Sequence, residues 1–322
     1  MELLNQLLFS ISVTGPICLI LIMGVVLMRT GVINDNFIQS ASNLVFKVTL
    51  PAMLFLSLVE SKHDLSTSLS LVSFAVASNI LYYLFCVVVV GLIMKHHADK
   101  GVVIQGGFRS NTGIIALAYV ANLYGTQGLA TAAIYVAAST LLYNVLSVIC
   151  LTPKNGASPN GKAPSALKSM TKSITKNPLI ISIIAGILYS KLGLPIPKVA
   201  SDAGHYFANM TLPLALLCTG GSLDLKSLRK DTTPTVLAST LKLVLMPVIC
   251  VFFAYLLGFK GQSLGIIFFM SGAPAAAASY IMARAMGGNA TLAANIIALT
   301  TLASVVTTTI GLIILNSLNL LY

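Results

Sequence analysis

Gln105-Gly106-Gly107-Phe108-Arg109-Ser110-Asn111-Thr112-Gly113 is the stretch that decides the fold. It sits in the middle of an apolar run, 101–122, that is otherwise long enough to cross a bilayer. Three glycines, an asparagine and an arginine are poor material for a lipid-facing helix. A second interruption, Met270-Ser271-Gly272-Ala273-Pro274, breaks the run 262–285. Proline there removes a backbone donor and frees a carbonyl. Each break exposes N–H and C=O groups at midplane, where the half-helix beginnings can face an anion and freed carbonyls can coordinate a cation.

Outward from these breaks the chain is apolar nearly throughout. Charged residues are 8% of the 322, against roughly 25% in a soluble domain. Mean hydropathy is +0.92. Ten stretches have about the length of a membrane helix, roughly 20 residues: 7–28, 36–57, 67–94, 101–122, 126–150, 177–193, 199–222, 232–257, 262–285 and 290–316. The runs are continuous rather than alternating, which favours helices over barrel strands. The first is too long for a signal-peptide core and is read as the first span. The expected fold class is an all-α polytopic membrane protein.

The two breaks occupy matching places because the chain repeats. At a shift of 162, Pro16 falls on Pro178, Gly24 on Gly186, Gly31 on Gly193, and Thr49-Leu50-Pro51 on Thr211-Leu212-Pro213. At a shift of 161, Ala77-Ser78 falls on Ala238-Ser239, Ser110 on Ser271, Tyr119 on Tyr280 and Thr140 on Thr301. Matched Pro and Gly carry most weight, since they punctuate helices. Residues 1–150 are therefore the first repeat and 177–322 the second. Between them, 151–176 is a basic linker with Pro153, Pro159, Pro164 and five lysines. Five spans per repeat is an odd number, so the second repeat enters the membrane inverted, and spans four and nine are the broken pair. Interrupted helices in corresponding places of inverted repeats point to a secondary transporter's binding site.

The net charge of +11 is a matter of orientation, not of nucleic acid. Loops after odd-numbered spans and their flanks hold twelve Lys and Arg, and the opposite loops hold four. The positive-inside rule places the twelve in the cytoplasm and both termini outside.

Three bases lie well within spans, Lys47, Arg109 and Lys242, while all eight acids sit in loops or at span ends. Lys47 is close enough to an interface to snorkel. Arg109 and Lys242 lie in or beside the breaks without a carboxylate to pair with, and an anionic ligand is the natural counter-charge. A guanidinium suits a carboxylate, and half-helix N–H groups can hold its other oxygen. The expected substrate site is Arg109, Asn111, Thr112, Lys242, Gly272 and Pro274, with Tyr119 or Tyr280 in the lining. A second expectation is a sodium site from Ser110, Asn111, Ser139 and Thr140. A proton relay has no midplane carboxylate to run on, so either uniport or sodium coupling is expected. Asn43, Lys47 and Pro51 share one face of span two, as His205, Asn209 and Pro213 do in span seven. Polar glue between helices explains that face as well as substrate contact does.

The same inventory excludes other chemistry. Aspartyl intramembrane proteolysis needs two intramembrane aspartates, and a retinal site needs a counter-ion carboxylate; neither is present. There is no P-loop. The cysteines Cys18, Cys86, Cys150, Cys218 and Cys250 have no CxxC spacing and read as buried thiols. No enzyme, metal, cofactor or nucleic-acid partner is expected. The expected partners are the bilayer, a small organic anion, and sodium or a proton as coupling ion; a homodimer is left open.

Asn111-Thr112-Gly113, Lys242 four residues before Met246-Pro247, and Gly272-Ala273-Pro274 followed by Tyr280 and Gly287 resemble the auxin efflux carrier family. That family includes plant auxin carriers and bacterial malonate and malate permease-like proteins, and the resemblance covers essentially the whole chain. It implies a fold related to the sodium/bile acid symporters and sodium/proton antiporters. Spans four and nine would cross at their breaks in a transporter domain made of spans three to five and eight to ten, and spans one, two, six and seven would form a scaffold. It also implies small organic anions as substrates and, from the short central loop, a bacterial inner-membrane protein. Plant carriers place proline at the crossing in both halves; here Pro274 stands alone, with Thr112 or Gly113 in the first half. The two functions weighed are an elevator-type anion carrier and a membrane sensor or scaffold that keeps the carrier fold.

Overall fold

The computed structural model describes residues 2–60, 65–94, 98–152, 178–193, 195–223 and 231–321. The linker expected at 151–176 lies outside them except for its first two residues. The described residues are helical, with no strand among them. In chain order the helices are α1 (Glu2–Thr30), α2 (Asp35–Glu60), α3 (Leu65–Ile93), α4 (Lys100–Phe108), α5 (Thr112–Leu151), α6 (Pro178–Leu192), α7 (Lys198–Gly221), α8 (Thr232–Leu256), α9 (Gly261–Gly272), α10 (Ala278–Ala285) and α11 (Ala290–Ser317). Six of them, α1, α2, α3, α5, α8 and α11, are long and apolar enough to cross a membrane. α4, α9 and α10 are too short to do so, and they flank the two breaks.

Glycine and proline set the helix ends and bends. Gly31 and Gly193, matched in the sequence repeat, both follow a helix with positive φ, 78° and 62°. That left-handed stop costs glycine nothing and frees the chain to turn back. Gly125, φ 59°, kinks α5 between the runs read as spans four and five. Two π-helical turns, Val45–Thr49 and Leu241–Leu245, each end two residues before a proline, Pro51 and Pro247. A proline ring clashes with the carbonyl four residues back, and one extra residue in the turn relieves it. The second of these turns carries Lys242.

Packing sorts the helices into two groups. α1, α2, α6 and α7 pack on one another; α3, α4, α5 and α8 to α11 form the rest. The groups meet where α1 touches α11 and α5, and where α2, α6 and α7 touch α5. Within the first group α1 and α7 approach backbone to backbone. A Cβ at Gly220 would collide with the Leu21 carbonyl, and one at Gly24 with the Leu217 carbonyl. Small residues at such a seam let helices close when no hydrophobic force distinguishes lipid from protein.

Gly220→Ala should therefore destabilise the protein by about 1–3 kcal/mol, the cost of forcing packed helices apart. A methyl group at Gly91 in α3 would meet nothing within 4 Å, so Gly91→Ala is the control. Thermal melts in detergent should separate the two, with Gly91→Ala at or above the parent. Equal melts would show that the α1–α7 seam is looser than its geometry requires.

Candidate functional site

The two breaks meet. α4 stops at Phe108 and α5 starts at Thr112; α9 stops at Gly272 and α10 starts at Ala278. Between them the extended segments pair as one antiparallel bridge, Ser110 with Ala275. Asn111 N–H donates to the Pro274 carbonyl at 2.8 Å, and Ala276 N–H donates to the Arg109 carbonyl at 3.1 Å. Ala275 N–H turns the other way and donates to Thr300 Oγ1 of α11 at 3.1 Å. Thr300 sits on α11 with its own hydroxyl donating back to Ile296 O at 2.6 Å. Three of the amide groups that unwinding freed, those of Asn111, Ala275 and Ala276, are thus taken up by the opposite break and by one threonine.

A cavity of about 600 Å³ lies against this crossover. Arg109, Ser110, Asn111, Thr112 and Gly113 line it from one break, and Ala276, Ala277, Ala278 and Tyr280 from the other. Thr140 and Tyr143 of α5 complete the inner wall. Its mouth is formed by Asp35, Leu179, Ser222 and Leu223, at the ends of α2, α6 and α7 that adjoin the basic loops. The volume is within the range of about 300–1,000 Å³ usual for small-molecule sites. Both half-helices that begin at the crossover, α5 and α10, start on its wall; the first N–H groups of a helix lack partners further along it, though in α10 those of Ser279 and Tyr280 already donate to the Ala276 and Ala277 carbonyls at 2.9 and 3.2 Å.

Arg109 is 6% exposed. Its Nη1 contacts Ser147 Oγ at 2.9 Å and Met282 Sδ at 2.7 Å, and its Nη2 donates to Asn144 Oδ1 at 2.9 Å. All three partners are neutral, so they orient the guanidinium without cancelling its charge. Tyr143 Oη donates to Asn79 Oδ1 at 2.9 Å, which fixes that ring between α3 and the cavity.

The structure brings Arg109, Asn111, Thr112, Tyr280, Ser110 and Thr140 to one cavity. Pro274 contributes its carbonyl to Asn111. Other expected site residues lie elsewhere. Tyr119 is buried with its ring stacked on Phe269, 5.4 Å between centroids, and does not line the cavity. Gly272 faces Pro247 and Phe268. Ser139 is buried one residue off the lining, with no hydrogen-bond partner for its hydroxyl among the described residues. Lys242 is fully buried and outside the lining: its Nζ donates to the Ser271 carbonyl and lies 3.2 Å from Met246 Sδ. Lys47 is exposed on the π turn of α2.

Sequence reasoning missed Asn144 and Ser147, which grip Arg109, and Thr300, which holds Ala275. The signal is present for the first two: polar residues three apart on one face of an apolar span. Thr300 is hidden by its neighbour Thr301, the residue that the repeat matches to Thr140.

A second cavity, about 350 Å³, lies toward the other end of α2 and beside the Gly125 kink of α5. Ser57, Glu60, Asn122, Thr126, His205 and Asn209 are its polar lining. His205 Nε2 and Glu60 Oε1 are 2.8 Å apart at its rim. Part of the polar face expected on α7 therefore borders this second cavity.

Comparison with known proteins places these features. A sequence profile of the family described as membrane transport protein matches residues 10–312. An uncharacterized transporter of Methanothermobacter thermautotrophicus is 22% identical over 270 residues, covering 83% of this chain and 85% of that one. The uncharacterized transporter YfdV of Escherichia coli K12 is 23% identical over 252 residues, 75% of this chain and 77% of that one.

Thr300→Val keeps the side-chain shape and removes the acceptor of Ala275 N–H. A buried donor left unpaired costs about 1–3 kcal/mol, so the variant should melt below the parent by that margin. Thr301→Val is the comparison, because Thr301 Oγ1 bonds only within its own helix, to Ile297 O at 2.7 Å. A Thr300→Val melt no lower than that of Thr301→Val would mean the crossover does not lean on α11.

Proposed function

From the premise that the chain belongs to the membrane transport protein family, that of the auxin efflux carriers, we propose that it is a secondary carrier moving a small organic anion across the plasma membrane. Members of this family are transporters, not enzymes. The observation that carries the anion reading is the crossover itself. It sets Arg109 and the beginnings of two helices against one cavity, and among the described residues no carboxylate is a partner of Arg109. Helix beginnings carry partial positive charge and offer N–H donors, which is the chemistry of carboxylate binding. Asn111 and Thr112 add neutral hydrogen-bonding groups that orient such a ligand, and Tyr280 gives it an aromatic edge.

In this reading ten spans form two inverted five-helix repeats, and spans four and nine cross at the substrate site. Helices α4 with the first part of α5 make span four, and α9 with α10 make span nine. The matched stops at Gly31 and Gly193 support the repeat. The positive-inside rule puts the mouth of the larger cavity in the cytoplasm and both termini outside. The smaller cavity then opens toward the outside. One cavity against the crossover and a second one lined by α1, α2, α5 and α7 support alternating access, with α3 to α5 and α8 to α11 moving as a body against α1, α2, α6 and α7, as in an elevator.

Flux into liposomes tests the proposal. Labelled monocarboxylates and dicarboxylates should enter vesicles holding the parent protein. Arg109→Gln, shown to be folded by its elution and melt, should bind the transported anion at least tenfold more weakly, about 1.4 kcal/mol. Asn111→Ala should slow transport. Folded parent protein that moves no organic anion would instead favour a sensor or scaffold that has kept the carrier fold. Transport by folded Arg109→Gln at the parent's affinity would remove Arg109 from the site.

A further inference from the structure

Four helix ends meet at the crossover. Thr112 and Ala278 begin helices there, and Phe108 and Gly272 end them. A helix carries about half an elementary charge at each terminus, positive where it begins and negative where it ends. The two beginnings line the cavity, where an anion answers them. The two endings call for a cation. Backbone carbonyls at such unwound ends are the groups that coordinate coupling cations in transporters built this way.

The ending of α9 already has a cation. Lys242 is fully buried, and its Nζ donates to the carbonyl oxygen of Ser271, in the last turn of that helix. The Ser271 hydroxyl is directed elsewhere, to Ile267 O at 2.7 Å, so the carbonyl is what faces the ammonium. Met246 Sδ lies 3.2 Å from the ammonium and 3.8 Å from Ser110 Oγ, which puts the charge next to the crossover strand. Lys242 has no carboxylate partner among the described residues, and it does not line the cavity. A direct ligand of the anion would have to line it. The Pro247 turn explains the aim: the π-helical residues Leu241–Leu245 carry Lys242 on the side where Pro247 packs against Gly272.

We propose that Lys242 is a tethered cation, held at the carbonyl end of α9 where a free cation would otherwise bind, so that the crossover holds its anion without a bound sodium ion. This deepens the anion-carrier reading and rests on it for the transported ligand, but the charge at the helix end can be tested with no ligand present. Lys242 is a positioning residue here: it fixes the end of α9, and through it the Pro274 carbonyl that Asn111 N–H uses. A sodium site from Ser110, Asn111, Ser139 and Thr140 then has no role to fill.

The experiment is a set of thermal melts in detergent, without substrate, in sodium chloride, choline chloride and propylammonium chloride. The parent should melt identically in sodium and choline. Lys242→Met, which keeps the length and loses the charge, should melt several degrees lower. Lys242→Ala should recover in propylammonium but not in propanol, its neutral counterpart. Uptake by the parent should be unchanged when sodium is replaced by choline. The proposal is overturned if Lys242→Met melts like the parent, if propanol rescues as well as propylammonium, or if sodium raises the parent's melt or uptake. Should Lys242→Ala fail to fold in every salt, Lys242→Met and the sodium comparison decide. Failure to find any transported anion would sink the carrier reading while leaving these melts to judge the cation.

Discussion

Two backbone hydrogen bonds, Asn111 N–H to Pro274 O and Ala276 N–H to Arg109 O, hold the centre of this protein together. In water such a pair adds about 0.5–1.5 kcal/mol per bond, because solvent would serve either partner nearly as well. In the interior of a membrane bundle there is no competing solvent, and an orphaned amide costs several kcal/mol. Breaking one helix alone would be prohibitive. Breaking two at the same depth, and facing the breaks toward each other, makes each the remedy for the other. Ala275, the residue between the two bonds, points its N–H outward to Thr300, so the pairing also ties the crossover to α11.

The site follows from this constraint. An extended Arg109 backbone, with φ −81° and ψ 100°, leaves the helical path and carries the side chain along the cavity wall toward α5. Asn144 and Ser147 of α5, with Met282 of α10, receive it. In a continuous helix the same residue would be a buried charge wedged between turns. The elements of the crossover are then divided: Arg109 and two helix beginnings line the cavity, and the ending of α9 with the Lys242 ammonium lies outside its lining.

Much of this is legible in the residues. Gly106-Gly107 and Asn111-Thr112-Gly113 announce the first break, and Gly272-Ala273-Pro274 the second, because these residues forfeit helical hydrogen bonds or helical stability. That the breaks fall at one repeat shift makes their meeting an expectation. The partition of the bases is less legible. Arg109 and Lys242 look alike in sequence, two unpaired cations beside breaks, yet one lines the cavity and the other is sealed behind it. The difference is set by the π-helical turn ahead of Pro247, which rotates Lys242 relative to a regular helix, and a local widening of that kind leaves no pattern in hydrophobic periodicity. The repeat pairs Tyr119 with Tyr280. Tyr280 lies on the cavity wall and Tyr119 stacks on Phe269, because matched sequence positions face different neighbours once the repeats are packed together.

A carrier also has to move, and the distribution of polar contacts bears on how easily it does. The densest backbone contacts, such as Gly24 and Gly220 between α1 and α7, lie within one helix group, and so does the Glu60–His205 pair between α2 and α7. The crossover bonds lie wholly within the other. Between the groups, polar contacts are local: Asn122 Nδ2 donates to Val13 O at 2.7 Å, and Thr14 Oγ1 lies 3.1 Å from Thr309 Oγ1. Threonine hydroxyls can fall back on carbonyls of their own helix, as Thr14 does with Ser10 O at 2.9 Å and Thr309 with Val305 O at 2.7 Å. Parting them leaves no donor stranded. Asn122 has no such fallback inside its helix geometry, but it borders the smaller cavity, where water would reach it. Sliding one group past the other therefore disturbs contacts that have ready substitutes, and leaves intact the crossover bonds that have none.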